Sequence, residues 1–309
     1  MTTAVITGGF GYAGGRIARH LLEAGTDVRI STRRREQDIP KWARDNVRWD
    51  ADLEKLSDGA DCLIHLAAPN EIACAADPEA AIAATVGLTE RALGAARAAG
   101  IPRFIYMSTV HVYGPMQGLI DENTAPDPGH PYAVAHLQSE HAVQAAAENI
   151  DAVVLRLSNG FGAPADNGTD RWSLLVNDLC RQAIRDHRLQ LSSNGLQHRD
   201  FLPLSDVAAA VRHFVEGAPC PHGFRMFNLS SGRAMRVIDM AALIRARAEA
   251  MLGVDVCLET ADGGPPPPAT KLVVDNRRLL ESGFQPNANA AAEIDGMLRF
   301  CIDTCMHPA

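Results

Sequence analysis

Short apolar runs alternate with longer amphipathic stretches through the first half of the chain. Residues 4–7, 27–31, 47–49, 62–66, 104–108 and 152–157 are strand-length runs rich in β-branched and aromatic side chains. Residues 12–24, 78–99 and 131–149 carry longer patterns that predict helices. The run Cys62-Leu63-Ile64-His65-Leu66 hardly alternates, as expected of a strand covered on both faces. Strand–helix alternation of this kind predicts an α/β fold, a doubly wound parallel sheet. After Leu157 the rhythm changes. A Gly/Pro/Asp-rich stretch, 159–170, predicts a long loop, followed by helices over 172–185, 207–216, 237–252 and 290–305. Residues 263–268, Gly-Gly-Pro-Pro-Pro-Pro, form a stiff surface segment. The expected architecture is a doubly wound domain over residues 1–158. A smaller C-terminal α/β region over 159–309 closes over its strand ends, and some of its segments return to the first domain.

Composition narrows this picture. With 47% apolar and 21% charged residues the chain can bury a core, which excludes disorder as its dominant state. The formal charge of −8 argues against a nucleic-acid-binding domain and against a polybasic membrane-surface protein. The Ala-rich stretch 73–99 comes nearest to a long apolar segment, but Asp77, Glu79, Glu90, Arg91 and Arg97 break it, and it reads as a soluble helix. A strand-like segment begins at Thr3, so no signal peptide is expected. The seven cysteines are scattered with no Cys-x-x-Cys, which suggests neither a zinc site nor a disulfide framework. Buried free thiols in a reducing cytoplasm are the expectation, with no metal centre.

Candidate chemistry begins at the first turn. Thr3-Ala4-Val5-Ile6-Thr7-Gly8-Gly9-Phe10-Gly11-Tyr12-Ala13-Gly14 reads as strand, glycine turn and helix start. Gly8, Gly11 and Gly14 stand where glycines permit a tight turn, close approach of a pyrophosphate and helix–strand packing. The helix N-terminus then favours anionic phosphates. Residues 1–158 are therefore expected to bind a dinucleotide. At the end of the second strand an acid would hold the ribose of NAD, whereas arginine suits the extra phosphate of NADP. Here Thr32 and Arg33 occupy that place and no acid appears before Glu36, which points to NADP with NAD as the alternative. Arginines 33–35 are equally readable as a solvated turn.

Two further segments, Phe104-Ile105-Tyr106-Met107-Ser108-Thr109-Val110-His111-Val112-Tyr113-Gly114 and Pro131-Tyr132-Ala133-Val134-Ala135-His136, complete a pattern. With the glycine turn and residues 62–68, the chain resembles the extended short-chain dehydrogenases/reductases, in particular the NAD(P)-dependent epimerase/dehydratase group acting on nucleotide sugars. The resemblance covers nearly the whole chain and implies a Rossmann domain. It implies cofactor contacts at Gly8, Phe10, Gly11, Tyr12 and Gly14, at Thr32 and Arg33, at Asp52-Leu53, at Leu66-Ala67-Ala68, and at Tyr132 and His136. By the same resemblance Asn159 and Arg199 contact the substrate diphosphate; His111 reads either as a substrate-binding acid or base near the sugar or as a residue that only packs or hydrogen-bonds at the strand end. Thr109 matches the hydroxyl that holds the substrate oxygen, and Tyr132 matches the phenol that exchanges a proton with it during hydride transfer.

The chain departs from that group at one position. Four residues after the Tyr the group carries Lys, whose charge lowers the phenol pKa; this chain carries His136, and its three lysines lie at 41, 55 and 271. Three readings stand open: a working replacement, a cation such as Arg156 acting through space, or a cofactor-binding protein with little turnover. The 4,6-dehydratases carry Asp-Glu where this chain has Val110-His111, and Val110 cannot transfer a proton. Dehydration is disfavoured, leaving reduction or epimerisation of a nucleotide sugar. The alternatives are an NADP(H) reductase of a small ketone and a non-catalytic NADP-binding protein. No nucleic-acid or membrane partner is expected. A homodimer is, through helices 78–99 and 131–149.

Overall fold

The computed structural model describes residues 1–169, 171–217, 223–261 and 271–306. The expected stiff segment 263–268 and Cys220 lie outside the described residues. Seven parallel strands form the main sheet: Thr3–Thr7, Asp27–Ser31, Arg48–Asp50, Cys62–His65, Arg103–Thr109, Asp151–Leu157 and Gly223–Leu229. Thr3–Thr7 lies between Asp27–Ser31 and Cys62–His65, so the strand order reverses beside it. In open α/β sheets a crevice for ligands opens outside the carboxyl ends of the strands at that reversal. Thr3–Thr7, Cys62–His65 and Arg103–Thr109 are buried along their whole length, as the continuous apolar runs require.

Two clusters of buried side chains cover the two faces of this sheet. One joins Ile6, Ile64 and Ile105 to Ile17 and Leu21 of the Tyr12–Glu23 helix and to Val207 and Val211 of the Leu204–Glu216 helix. The other joins Val5, Leu63 and Phe104 to Ala92 and Ala96 of the Pro78–Ala98 helix and to Val143 and Ala146 of the Pro131–Ala146 helix. A third core lies among the helices Leu175–Asp186, Val237–Leu252 and Ala290–Met306.

At the amino ends of the strands, buried Asp151 accepts hydrogen bonds from Arg103 Nε (2.8 Å) and Arg225 Nη2 (2.8 Å). Arg103 also donates to the carbonyls of Phe214 and Gly217, where the Leu204–Glu216 helix ends. The Tyr12–Glu23 helix is tied to the C-terminal core. Arg16 Nη1 reaches Ala163 O (2.8 Å) and Glu293 Oε1 (2.7 Å), and Tyr12 Oη donates to Gly162 O (2.9 Å).

Several sequence expectations need correction. The helix expected over 78–99 is found at Pro78–Ala98, and the Ala-rich stretch before it, read with it as helical, holds a separate short helix, Glu71–Ala76. Asp77 accepts from Ala80 N and Pro78 opens the second helix, so the chain is re-capped rather than continued. The helix expected from 172 begins at Leu175, and the loop expected over 159–170 opens with a short strand, Asn159–Phe161, that pairs with Phe201–Pro203. The helix expected from 207 begins at Leu204, directly after Pro203.

Candidate active site

The glycine turn lies at the carboxyl end of the first strand. Gly8 adopts a φ of +72°, and a Cβ there would meet Ala67 N at 2.9 Å. A Cβ on Gly14 would lie 2.1 Å from Gly8 O, which makes glycine obligatory at the start of the helix. Gly11 N donates to Gly8 O at 2.9 Å. The result is a cradle of bare backbone at a helix N-terminus, flanked by Leu66, Ala67 and Ala68, whose chemistry fits a dinucleotide pyrophosphate. Phe10 and Tyr12 face away from that cradle: Phe10 packs edge-on against Trp42 at 5.9 Å, and the Tyr12 hydroxyl ties down the 162–177 segment. Only their backbone is left to serve a ligand.

At the second strand's end, Thr32 Oγ1 accepts from Arg34 N at 3.1 Å. Arg34 lies over the Phe10 ring and donates to Phe10 O, whereas Arg33 is exposed. Asp52 caps the Leu53–Ser57 helix through Lys55 N, with its carboxylate at the surface, and Leu53 packs on the core.

Thr109 ends the Arg103–Thr109 strand, and Tyr132 stands at the start of the Pro131–Ala146 helix, near enough for the Thr109 hydroxyl to lower the phenol pKa slightly. Thr109 Oγ1 also accepts from His111 N at 3.2 Å. Tyr132 and His111 line a cavity of about 620 Å³ together with Glu71, Asp127 and His130. Burial, followed by the charge of Glu71, pushes the Tyr132 phenol up to about 12, so it stands protonated at neutral pH.

His136 lies one turn below, its ring edge-on to Tyr132 at 4.5 Å. Tyr106 Oη sits 2.7 Å from His136 Nδ1, and burial raises the Tyr106 phenol well above its usual range. With that phenol assigned as donor, the imidazole proton sits on Nε2. Nε2 is buried with no hydrogen-bond partner. Burial pushes the imidazole down to about 4, so His136 is neutral at neutral pH and does not supply a positive charge beneath Tyr132. Arg156 does not supply the charge either: it is held bidentately by Glu140 at 3.0 and 2.6 Å and lies over the Tyr113 ring.

His65, bonded to Thr7 and Thr89, is likewise pushed down by burial, to about 3. The unfolded chain protonates its histidines from about pH 6.5 downward. Folded His65 and His136 resist protonation until about 3 and 4. Their contribution to stability is thus present above pH ~6.5 and lost as pH falls through that window. Thermal unfolding midpoints are expected to drop on acidification from neutrality, with a shallower slope for His136→Gln; an equal slope would refute the assignment.

On the substrate side, Asn159 Nδ2 donates to Asp200 O at 2.8 Å, so part of its side chain serves the backbone. Arg199 has no carboxylate partner among the described residues, and its charge reaches His111. Val110 is buried hydrocarbon. Sequence reasoning missed Glu71 and Arg171, which meet at 3.3 Å beside Tyr132. No local spacing links two residues one hundred positions apart.

A glycine cradle at the strand-order reversal, with Thr109 and Tyr132 at the carboxyl end of a strand two places away, defines an extended short-chain dehydrogenase/reductase. Within that class, residues 4–229 match the model of the NAD-dependent epimerase/dehydratase family, and the chain belongs to it. It is 29% identical over 269 residues to the UDP-glucose 4-epimerase of Streptomyces lividans, covering 78% of this chain and 79% of that one. It is 28% identical to the UDP-glucose 4-epimerase of Corynebacterium glutamicum, covering 91% of this chain and 90% of that one. Among solved structures, UDP-N-acetylglucosamine 4-epimerase from Methanobrevibacter ruminantium M1, in complex with UDP-N-acetylmuramic acid, superposes with a TM-score of 0.81. That match has 22% identity and covers 98% of this chain and 99% of the other. MoeE5, in complex with UDP-glucuronic acid and NAD, superposes with a TM-score of 0.80 at 22% identity, covering 98% and 99%. The fold expected from the sequence is the fold found.

Proposed function

We propose that this protein interconverts a hydroxyl and a keto group on a nucleotide-activated sugar, as an epimerase or reductase. The observation that carries the reading is Tyr132, beside Thr109 at the carboxyl end of the Arg103–Thr109 strand, lining the same cavity as His111. When bound, the nicotinamide dinucleotide supplies or accepts the hydride. Gly8, Gly11 and Gly14 would hold its pyrophosphate, Asp52 and Leu53 its adenosine end, and His136 Nε2–H is the unpaired donor available to its ribose. Tyr132 moves a proton at the substrate oxygen, and Thr109 orients that oxygen by hydrogen bonding. Arg199 and the remaining capacity of Asn159 take the diphosphate. Val110 leaves no acid–base pair for water elimination, which keeps dehydration disfavoured. The UDP-glucose 4-epimerase relatives favour a sugar nucleotide over a small free ketone.

Incubation with NAD or NADP and a panel of UDP-, GDP-, CDP- and dTDP-sugars tests this, read by nicotinamide absorbance and by NMR of the sugar. A new epimer or a reduced sugar is expected. A panel in which no sugar nucleotide reacts while cofactor binds would overturn it.

Within that reading the cofactor is NADP, supported by the missing acid at the second strand's end and by exposed Arg33. Arg33→Ala is expected to weaken NADP by ~1.5–3 kcal/mol and NAD far less, as befits a charge-assisted hydrogen bond. Tighter binding of NAD than NADP by the unaltered protein would refute this. The working form is a cytoplasmic homodimer built on the helices Pro78–Ala98 and Pro131–Ala146, whose many alanines allow close approach.

A further inference from the structure

The titratable groups around the phenol of Tyr132 come from different parts of the fold, and Asp127 and His111 line the same cavity as the phenol. Its own helix offers neutral His136, and His130 just before it, whose Nδ1 accepts from Tyr132 N. The Arg103–Thr109 strand offers uncharged Thr109 and the protonated phenol of Tyr106. The short Glu71–Ala76 helix brings Glu71 and Cys74, and the segment before the Leu175–Asp186 helix brings Arg171.

Glu71 and Arg171 meet across the cleft. Arg171 Nη2 lies 3.3 Å from Glu71 Oε2, and Ser173 Oγ lies 3.4 Å from Glu71 Oε1. The arginine is held from behind, because Asn177 Nδ2 donates to Arg171 O at 3.4 Å and also to Tyr12 Oη at 3.0 Å. Glu71 shares the wall of one cavity with Tyr132. One partner therefore rides on the chain that leaves the Cys62–His65 strand, and the other on the segment that leads to the C-terminal core.

We propose that the Glu71–Arg171 ion pair, joining the two walls of the cleft beside Tyr132, sets the protonation balance of the phenol in place of a cation at position 136. The proposal rests on the reading of Tyr132 as the proton-transferring group. Glu71 is the larger influence and stabilises the neutral phenol, and Arg171 opposes it. Glu71 thus keeps Tyr132 ready to give a proton to a keto oxygen. Arg171 limits how far that bias makes the phenol unfit to take one back. Both are positioning residues, acting through Tyr132.

The test reads the phenol directly and needs no turnover. The chain has four tyrosines, so [¹³Cζ]tyrosine labelling gives few resonances, and Tyr132→Phe identifies the one of interest. At one fixed alkaline pH, the ionised fraction of Tyr132 is expected to rise in Glu71→Gln and to fall in Arg171→Gln. Each titration should move by about half a pH unit or more, in opposite directions. Arg171→Lys should match the unaltered protein, and the double variant should fall between the single ones. A merely structural strap would move both single variants the same way, because either substitution breaks the same ion pair. That outcome, or no movement in either, overturns the proposal. Opposed shifts in a protein inactive on every sugar nucleotide would leave the ion pair's role standing and sink the proposed reaction instead.

Discussion

Tyr132→Phe is expected to lower turnover of the sugar substrate by ~10²–10⁴-fold while cofactor affinity stays unchanged. The substitution removes one hydroxyl and nothing else. The ring keeps its edge-on contact with His136 at 4.5 Å and its place at the first turn of the Pro131–Ala146 helix. What is lost is the phenolic proton that a keto oxygen must receive. No neighbour replaces it: the Tyr106 phenol is turned to His136, and His136 is itself neutral. Steady-state kinetics together with fluorescence titration of NADP check the result. Retained turnover in the Phe variant would remove Tyr132 from the reaction.

The largest expected effect on stability lies at the opposite end of the sheet. Asp151→Ala should cost ~3–5 kcal/mol, the usual consequence of deleting one partner of a buried ion pair. Asp151 is fully buried and receives both Arg103 and Arg225. Without it, the almost wholly buried Arg103 guanidinium keeps its two carbonyl partners but loses its counter-charge. The desolvation cost of the cation then stands uncompensated. Urea unfolding measures the loss, and a change within the ~0–1 kcal/mol typical of surface pairs would contradict it. Kinetics of the folded fraction should be unaffected, because the pair sits at the amino ends of the strands and the Thr109–Tyr132 pair at a carboxyl end.

The elements that govern the cofactor cradle were legible in the sequence because each rests on a local constraint. The spacing of Gly8, Gly11 and Gly14 encodes a contact, since any side chain on Gly14 would collide with Gly8 O. Unbroken apolar runs such as 62–66 report strands covered on two faces. The helix start at Pro78 was also written in the chain, as an N-cap followed by proline, but the uniform alanine content hid the separate helix Glu71–Ala76 before it. That burial holds the His136 imidazole well below its ordinary range was not legible. The same imidazole at the surface would titrate near pH 6.5, and only the burial between Tyr106 and Tyr132 decides otherwise. Nor was the meeting of Glu71 with Arg171, which depends on how two distant segments are brought together rather than on either one.

The attachment of the first helix to the far end of the chain has a thermodynamic consequence. Arg16 stands one turn behind the glycine cradle, yet its guanidinium is shared between Ala163 O and Glu293 of the last helix. The glycine cradle and the C-terminal core are therefore parts of one braced frame. Any factor by which a sugar nucleotide tightens the dinucleotide must be returned in full, as the same factor by which the dinucleotide tightens the sugar nucleotide. Breaking the brace at Arg16 would weaken both halves of that reciprocity together, even though Arg16 touches neither ligand's reacting atoms.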